Sequence, residues 1–100
     1  MRIIAKTVLV GFWIRHPESE APLARWIALT KAAEWGSTQD VLRSFPSAKT
    51  INAERIRFPV CGGAYRLIVA FDFKRHIAFI KFIGTHAEYD AIDAAHISLF

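Results

Sequence analysis

The chain holds a single cysteine, Cys61, so no internal disulfide can form, and one free thiol suits a reducing compartment. No apolar run approaches the roughly 18 residues of a membrane-spanning helix. The stretch Val8 to Ile14 follows Arg2 and Lys6 as a secretory leader would, but Arg15-His16-Pro17 ends it without a small-residue cleavage site. A cytoplasmic location without membrane attachment is therefore expected. His16, His76, His86 and His96 lie far apart and none has a cysteine at ligand spacing, which argues against a metal site. Gly62-Gly63 lacks the strand-to-helix setting and the lysine of a phosphate loop. Nothing repeats, no segment is of low complexity, and no linker is evident. One hundred residues make one domain, 1–100, with an adequate rather than generous core.

Apolar residues are plentiful instead, at 56% of the chain when glycine is counted and tyrosine is not, against roughly 45–50% in average domains, so either the core is dense or some apolar surface awaits a partner. Acidic residues are few: 9 Asp and Glu face 13 Lys and Arg, for a net charge of +4. The distribution matters more than the total. Between Arg55 and Lys81 the charged residues are Arg55, Arg57, Arg66, Asp72, Lys74, Arg75 and Lys81, with Asp72 the sole anion. These fall on predicted strands and describe a basic sheet face or rim.

Periodicity orders the elements. Ile3-Ile4 suits a short edge strand, and Lys6 to Arg15 reads as a helix with Val8, Leu9 and Phe12 inward, stopped by Pro17. Glu18 to Glu34 reads as a second helix whose Leu23, Trp26, Ile27 and Thr30 share a face, with Gly36 as its breaker. Trp13, Trp26 and Trp35 suit helix packing, and of these only Trp35 has scope for exposure. Ser37 or Thr38 can cap a short helix from Gln39 to Ser44. A two-residue period then sets Ile56, Phe58 and Val60 against Arg57 and Pro59, and the proline argues for an edge or a bulge. Ala64–Phe73 and Ile77–Ile83 make a long hairpin around Lys74-Arg75-His76, and a helical segment starts near His86. Helices segregated to one face of an antiparallel sheet define an α+β domain with an open opposite face.

Chemistry concentrates in the last third. Arg66 sits mid-strand between apolar neighbours, where an unpaired guanidinium would be costly if buried, so its face is expected to be open. His86 follows Gly84-Thr85 at a strand end and is the best acid or base available. Tyr89 and Asp90 lie three and four residues further, on the same helical face as His86. Plainer accounts stand beside these. Arg66 also suits a half-exposed sheet surface, His86 a structural helix start, and Thr85 with Glu88 a capping box that needs no chemistry. Lys74 and Arg75 at the hairpin tip suit either phosphate contacts or a solvated turn. Lys81 joins Arg66 only if the strand register puts both on one face.

Three features together closely resemble the HigB family of bacterial type II toxins, small messenger-RNA endonucleases of the RelE-like superfamily. They are Tyr65-Arg66-Leu67, the closing Gly84-Thr85-His86-Ala87-Glu88-Tyr89-Asp90 followed by Ile92-Asp93, and Met1-Arg2-Ile3-Ile4 leading to Phe12-Trp13 and His16-Pro17. The resemblance spans nearly the whole chain. It implies a RelE-like α+β fold, an antiparallel sheet with N-terminal helices packed on one face, and metal-independent cleavage of messenger RNA on the translating ribosome. No cofactor is implied. The implied partners are mRNA and a helix-turn-helix, HigA-like antitoxin, which would inhibit the toxin and through which alone operator DNA would be met. Under this resemblance Arg66, His86 and Tyr89 become catalytic candidates, for transition-state charge, acid–base transfer, and stacking or proton transfer respectively. Lys74, Arg75 and Lys81 become phosphate contacts, and Asp90 orients His86 or Arg66. Two departures stand out. Family members usually carry lysines where this chain has Cys61, Gly62, Gly63, Ala64 and Ala70, and its first helix is unusually apolar at Val10, Gly11 and Ile14. A non-catalytic RNA- or ribosome-binding module on the same basic sheet is the alternative, and a structural subunit a third.

Overall fold

A computed structural model describes residues 1–100. The first helix, α1, runs Lys6–Arg15 after strand β1, Arg2–Ile4. Leu9 and Phe12 of α1 are buried and Val8 packs against the same cluster, as the helical spacing requires. Pro17–Ser19 forms a 3₁₀ turn, so α2 begins only at Glu20 and ends at Ala32, shorter at both ends than the spacing suggests. Its breaker is not Gly36: Ala33 already turns to extended backbone. The predicted face is correct, with Leu23, Trp26, Ile27 and Thr30 all buried. Helix α3, Thr38–Ser44, is capped by the Ser37 hydroxyl, which accepts from the Asp40 amide. Trp35 is buried rather than exposed, because its indole N–H donates to Ser44 Oγ at 3.1 Å while its ring packs edge-on against Phe45 and Phe71. No helix is long and apolar enough to cross a membrane.

Strands β2 (Lys49–Thr50), β3 (Arg55–Val60), β4 (Tyr65–Asp72) and β5 (Ile77–Thr85) complete a five-stranded sheet of order β1-β5-β4-β3-β2. The hairpin and β3 are antiparallel, as expected. The sheet as a whole is not: β1 lies parallel to β5, with Arg2 opposite Ile77 and Ile4 opposite Phe79. A parallel pair needs a long crossover, and here everything between β1 and β5 supplies it. Because β2 pairs only with Ile56 and Arg57, β3 is an edge strand at Pro59, where a missing amide costs no ladder bond on the open side.

Alternation gives the sheet two unlike faces. Ile56, Phe58, Leu67, Val69, Phe71 and Ile80 point to the helices and join Leu9, Leu23 and Trp26 in one core. Arg55, Arg57, Arg66 and Asp72 fall on the other face. A bulge lets both strands of the hairpin keep this division: Ile68 faces Phe82 and Val69 faces Ile80, leaving Lys81 unpaired between them. Ile68 and Phe82 are buried yet lie outside the main core. Their face is therefore not fully open. The short helix α4, His86–Asp90, and the segment after it run over this side: Arg55 Nη1 donates to the carbonyls of Ala94 (3.0 Å) and Ile97 (2.7 Å), and the Leu99 amide donates to the Lys81 carbonyl (3.1 Å).

Thr30 offers a test of the packing. Its side chain is fully buried and its hydroxyl has no hydrogen-bond partner. Replacing it with Val removes a desolvated polar group and keeps the shape, so Thr30→Val is expected to raise unfolding free energy by about 1 kcal/mol in urea titration. A loss of stability would show that the hydroxyl is satisfied.

Candidate active site

The site lies where the end of β5 turns into α4, above the outer face of β3 and β4. Arg66 stands opposite Gly84 on β5 and Pro59 on β3, and Arg57 is the neighbouring outward residue of β3. Their guanidinium carbons lie 5.3 Å and 5.6 Å from the centroid of the same ring, Tyr89. Neither arginine is paired with a carboxylate within 4.0 Å; the four ion pairs all involve other residues. Both Nε atoms are buried without partners. Two like charges would normally push apart, and the electron-rich ring face offsets that repulsion. The result is a cationic pair free of internal neutralisation.

Thr85 and Glu88 hold α4 in place. The Thr85 hydroxyl accepts from the Glu88 amide (3.1 Å) and Glu88 Oε1 accepts from the Thr85 amide (2.8 Å), a complete capping box. The Thr85 amide bond is the main cause that keeps the Glu88 carboxyl below its ordinary value. His86 donates its backbone N–H to the Ala64 carbonyl at 3.0 Å, tying the helix start to the turn before β4. Its side chain is half-exposed, and Nε2 lies 3.4 Å from Asp90 Oδ2, the i,i+4 spacing expected on one helical turn. Thus the capping account and the site geometry hold together, the first supplying the scaffold for the second. The approach is tight at Gly84, where a Cβ would meet the Phe82 ring at 2.7 Å.

Of the residues singled out in the sequence, Arg66, His86, Tyr89 and Asp90 are brought together, Asp90 beside His86 rather than Arg66. Lys74 and Arg75 are not. They sit at the far end of the hairpin, roughly 26 Å along the strand from Arg66 at about 3.3 Å per residue, and Arg75 is bound to Asp72 at 3.2 Å. The Arg75 amide, which donates to Asp72, holds that carboxyl below its usual range, and the guanidinium contact adds to this. Lys81 is on the right face, but its ammonium lies over Phe79 and 3.4 Å from Ser98 Oγ. Arg57 is the residue that motif reasoning missed. The alternation of Ile56, Phe58 and Val60 already turns it outward; only the pairing register puts it beside Arg66.

Behind the sheet end, a second polar cluster braces α1 against β4. The Tyr65 hydroxyl donates to the Glu18 carboxylate and lies 3.3 Å from His16 Nδ1. That bond pushes Tyr65 up to about 12, so the phenol stays protonated and is no base at neutral pH. A cleft of about 430 Å³ lies elsewhere again, between α2 and β3, lined by Trp26, Leu29, Phe45 and Pro59, with Arg25 its one charged residue. It offers no acid, base or cation pair.

The family model for HigB toxins, described as the RelE-like toxic component of a toxin-antitoxin system, matches residues 19–92. The chain belongs to this toxin family, which implies an antitoxin as partner. The matched span contains Arg57, Arg66, His86, Tyr89 and Asp90. No curated protein matches the chain significantly.

Two outcomes are expected from this geometry. Gly84→Ala should destabilise the fold by about 1–3 kcal/mol in chemical denaturation, since the Phe82 ring must move; an unchanged midpoint would mean that the ring yields freely. Glu88, whose folded value is depressed, contributes stability that is present above its ordinary value of 4.5 and lost as pH falls through the lowered one. The Thr85 amide should therefore lose its hydrogen-exchange protection in acid, and in Glu88→Gln this pH dependence should vanish.

Proposed function

We propose that this toxin is a metal-independent endoribonuclease that cuts messenger RNA, in the cytoplasm and on translating ribosomes, and thereby arrests growth. The observation that carries the reading is the pair Arg57 and Arg66, held against Tyr89 with no carboxylate in reach, one helical turn from a His86–Asp90 pair. An unneutralised guanidinium pair on an accessible face suits a phosphodiester, whose oxygens it can grip through parallel N–H donors.

In the proposed reaction the ribose 2′-oxygen attacks the adjacent phosphorus. Its proton passes to a base, negative charge builds on the phosphoryl oxygens, and the 5′-oxygen leaves with a proton from an acid, giving a cyclic phosphate and a free 5′-hydroxyl. Arg66 and Arg57 stabilise the developing charge, the largest contribution that fixed donors can make. His86 moves the proton, imidazole being the side chain most often used for acid–base transfer, and Asp90 orients it. Tyr89 keeps the two guanidinium groups together and offers a ring to the base beside the cut. The proposed antitoxin is a helix-turn-helix protein of the HigA-like kind, which would also carry the complex to operator DNA.

The test is to induce the wild-type chain, His86→Ala, Arg66→Ala and Arg57→Ala in a bacterium while mapping new RNA 5′ ends and growth. Wild type should produce in-frame cuts and arrest. With purified protein and RNA, each alanine variant should lose about 10²–10⁴ in cleavage rate, the range for a missing acid–base group or charge-stabilising donor. Salt-sensitive RNA binding without new ends would favour a non-catalytic RNA-binding module, and cuts that survive all three substitutions would move the site.

A further inference from the structure

The segment after α4 crosses the outer sheet face at one level. Arg55, Ala70 and Phe79 are cross-strand neighbours there, midway between the Arg57–Arg66 site and the hairpin tip with Lys74 and Arg75. Arg55 spends its guanidinium on two main-chain carbonyls of the segment, Ala94 and Ile97. Lys81, turned outward at the bulge, contacts Ser98 with its ammonium and Leu99 with its carbonyl. The groups that hydrogen-bond these two cations are all neutral. The segment's one acid, Asp93, is bound to His96 at 2.8 Å and feels Arg55 only at longer range.

Resting on the RNA reading of this face, we propose that residues 94–100 form a displaceable strap over a second phosphate-binding strip made by Arg55 and Lys81. A phosphate oxygen accepts a charge-assisted bond roughly twice as strong as one to a neutral carbonyl or hydroxyl, so a polyanion lying along the sheet outcompetes the strap for both cations. Lifting the strap is also easy at its end, where Leu99 and Phe100 are 57% and 52% exposed. With it in place, the outer face is divided: RNA reaches Arg57 and Arg66 but cannot run on to Lys74 and Arg75. With it displaced, six cations line one continuous track.

The experiment uses the full chain and 2′-O-methyl oligoribonucleotides, which cannot be cleaved, in a short form covering only the site and a long form spanning the sheet. In NMR spectra the Leu99 amide should be protected in the free protein and with the short oligonucleotide, and exposed and mobile with the long one. Ile97→Ser, which loosens the strap without adding charge, should bind the long oligonucleotide about tenfold tighter, the gain expected when a minor binding-competent state becomes dominant, and leave the short one unchanged. The log–log salt slope for the long form should exceed that for the short one by about 2.8, four more phosphates, at Arg55, Lys81, Lys74 and Arg75, at roughly 0.7 each on a single strand. A Leu99 amide that stays protected in the long complex, or an Ile97→Ser affinity no higher than wild type, would overturn the strap. If neither oligonucleotide binds, the RNA reading fails and the strap with it. Strap release without cleavage of natural RNA supports the strap and removes the nuclease.

Discussion

Two guanidinium groups share one tyrosine ring without a carboxylate to neutralise them, and most of the outer face is arranged around that fact. Such a pair can exist only if its backbone is immobile, because free side chains of like charge would separate. Immobility comes from the opposite face. Leu67, Val69 and Ile56 are fully buried against the helices, so the strands that carry Arg66 and Arg57 cannot slide without exposing the core. A slip of one residue would reverse every side chain. Register is thus what converts a stability element into a charge-presenting one.

The third member of the arrangement, Tyr89, comes from a helix of five residues, far too short to persist alone. Its order is borrowed from the reciprocal Thr85–Glu88 cap, from the His86 amide bond to Ala64, and from Gly84, which leaves room for the Phe82 ring. The same Thr-x-x-Glu spacing that looks like a purely structural device therefore decides where the candidate chemistry stands. Structural and functional accounts of this motif are one account.

This division explains what could be read from the chain and what could not. Local signals were legible: the bounds of α1, the buried stripe of α2, the Ser37 cap, the alternation of β3 and the grouping of His86, Tyr89 and Asp90 all depend on residues within a turn or two of each other. What failed was non-local. That Ile3 pairs parallel with Ala78 is a matter of tertiary packing, since a three-residue strand carries no direction in its composition. Arg57 looked like one more surface charge until its strand was registered against Arg66. Lys74 and Arg75 follow Arg66 closely in sequence, yet an eight-residue strand carries them to the far end of the hairpin. The final ten residues show no period at all, and their course over the sheet follows from Arg55 and Lys81, far back in the chain.

The two faces also separate the consequences of substitution. Core positions bear the stability, and truncating a fully buried leucine such as Leu23 removes about 2–5 kcal/mol from a domain that typically has only about 5–15 in reserve. Outer arginines, partly buried and unpaired with any carboxylate, carry buried Nε atoms without partners, which costs folding free energy. Their retention in an arrangement that folding alone does not favour is the strongest physical argument that the face is shaped for an anion. A surface built for stability would have placed an acid beside Arg57 or Arg66; here both acids of α4 are used elsewhere, Asp90 beside His86 and Glu88 on the Thr85 amide.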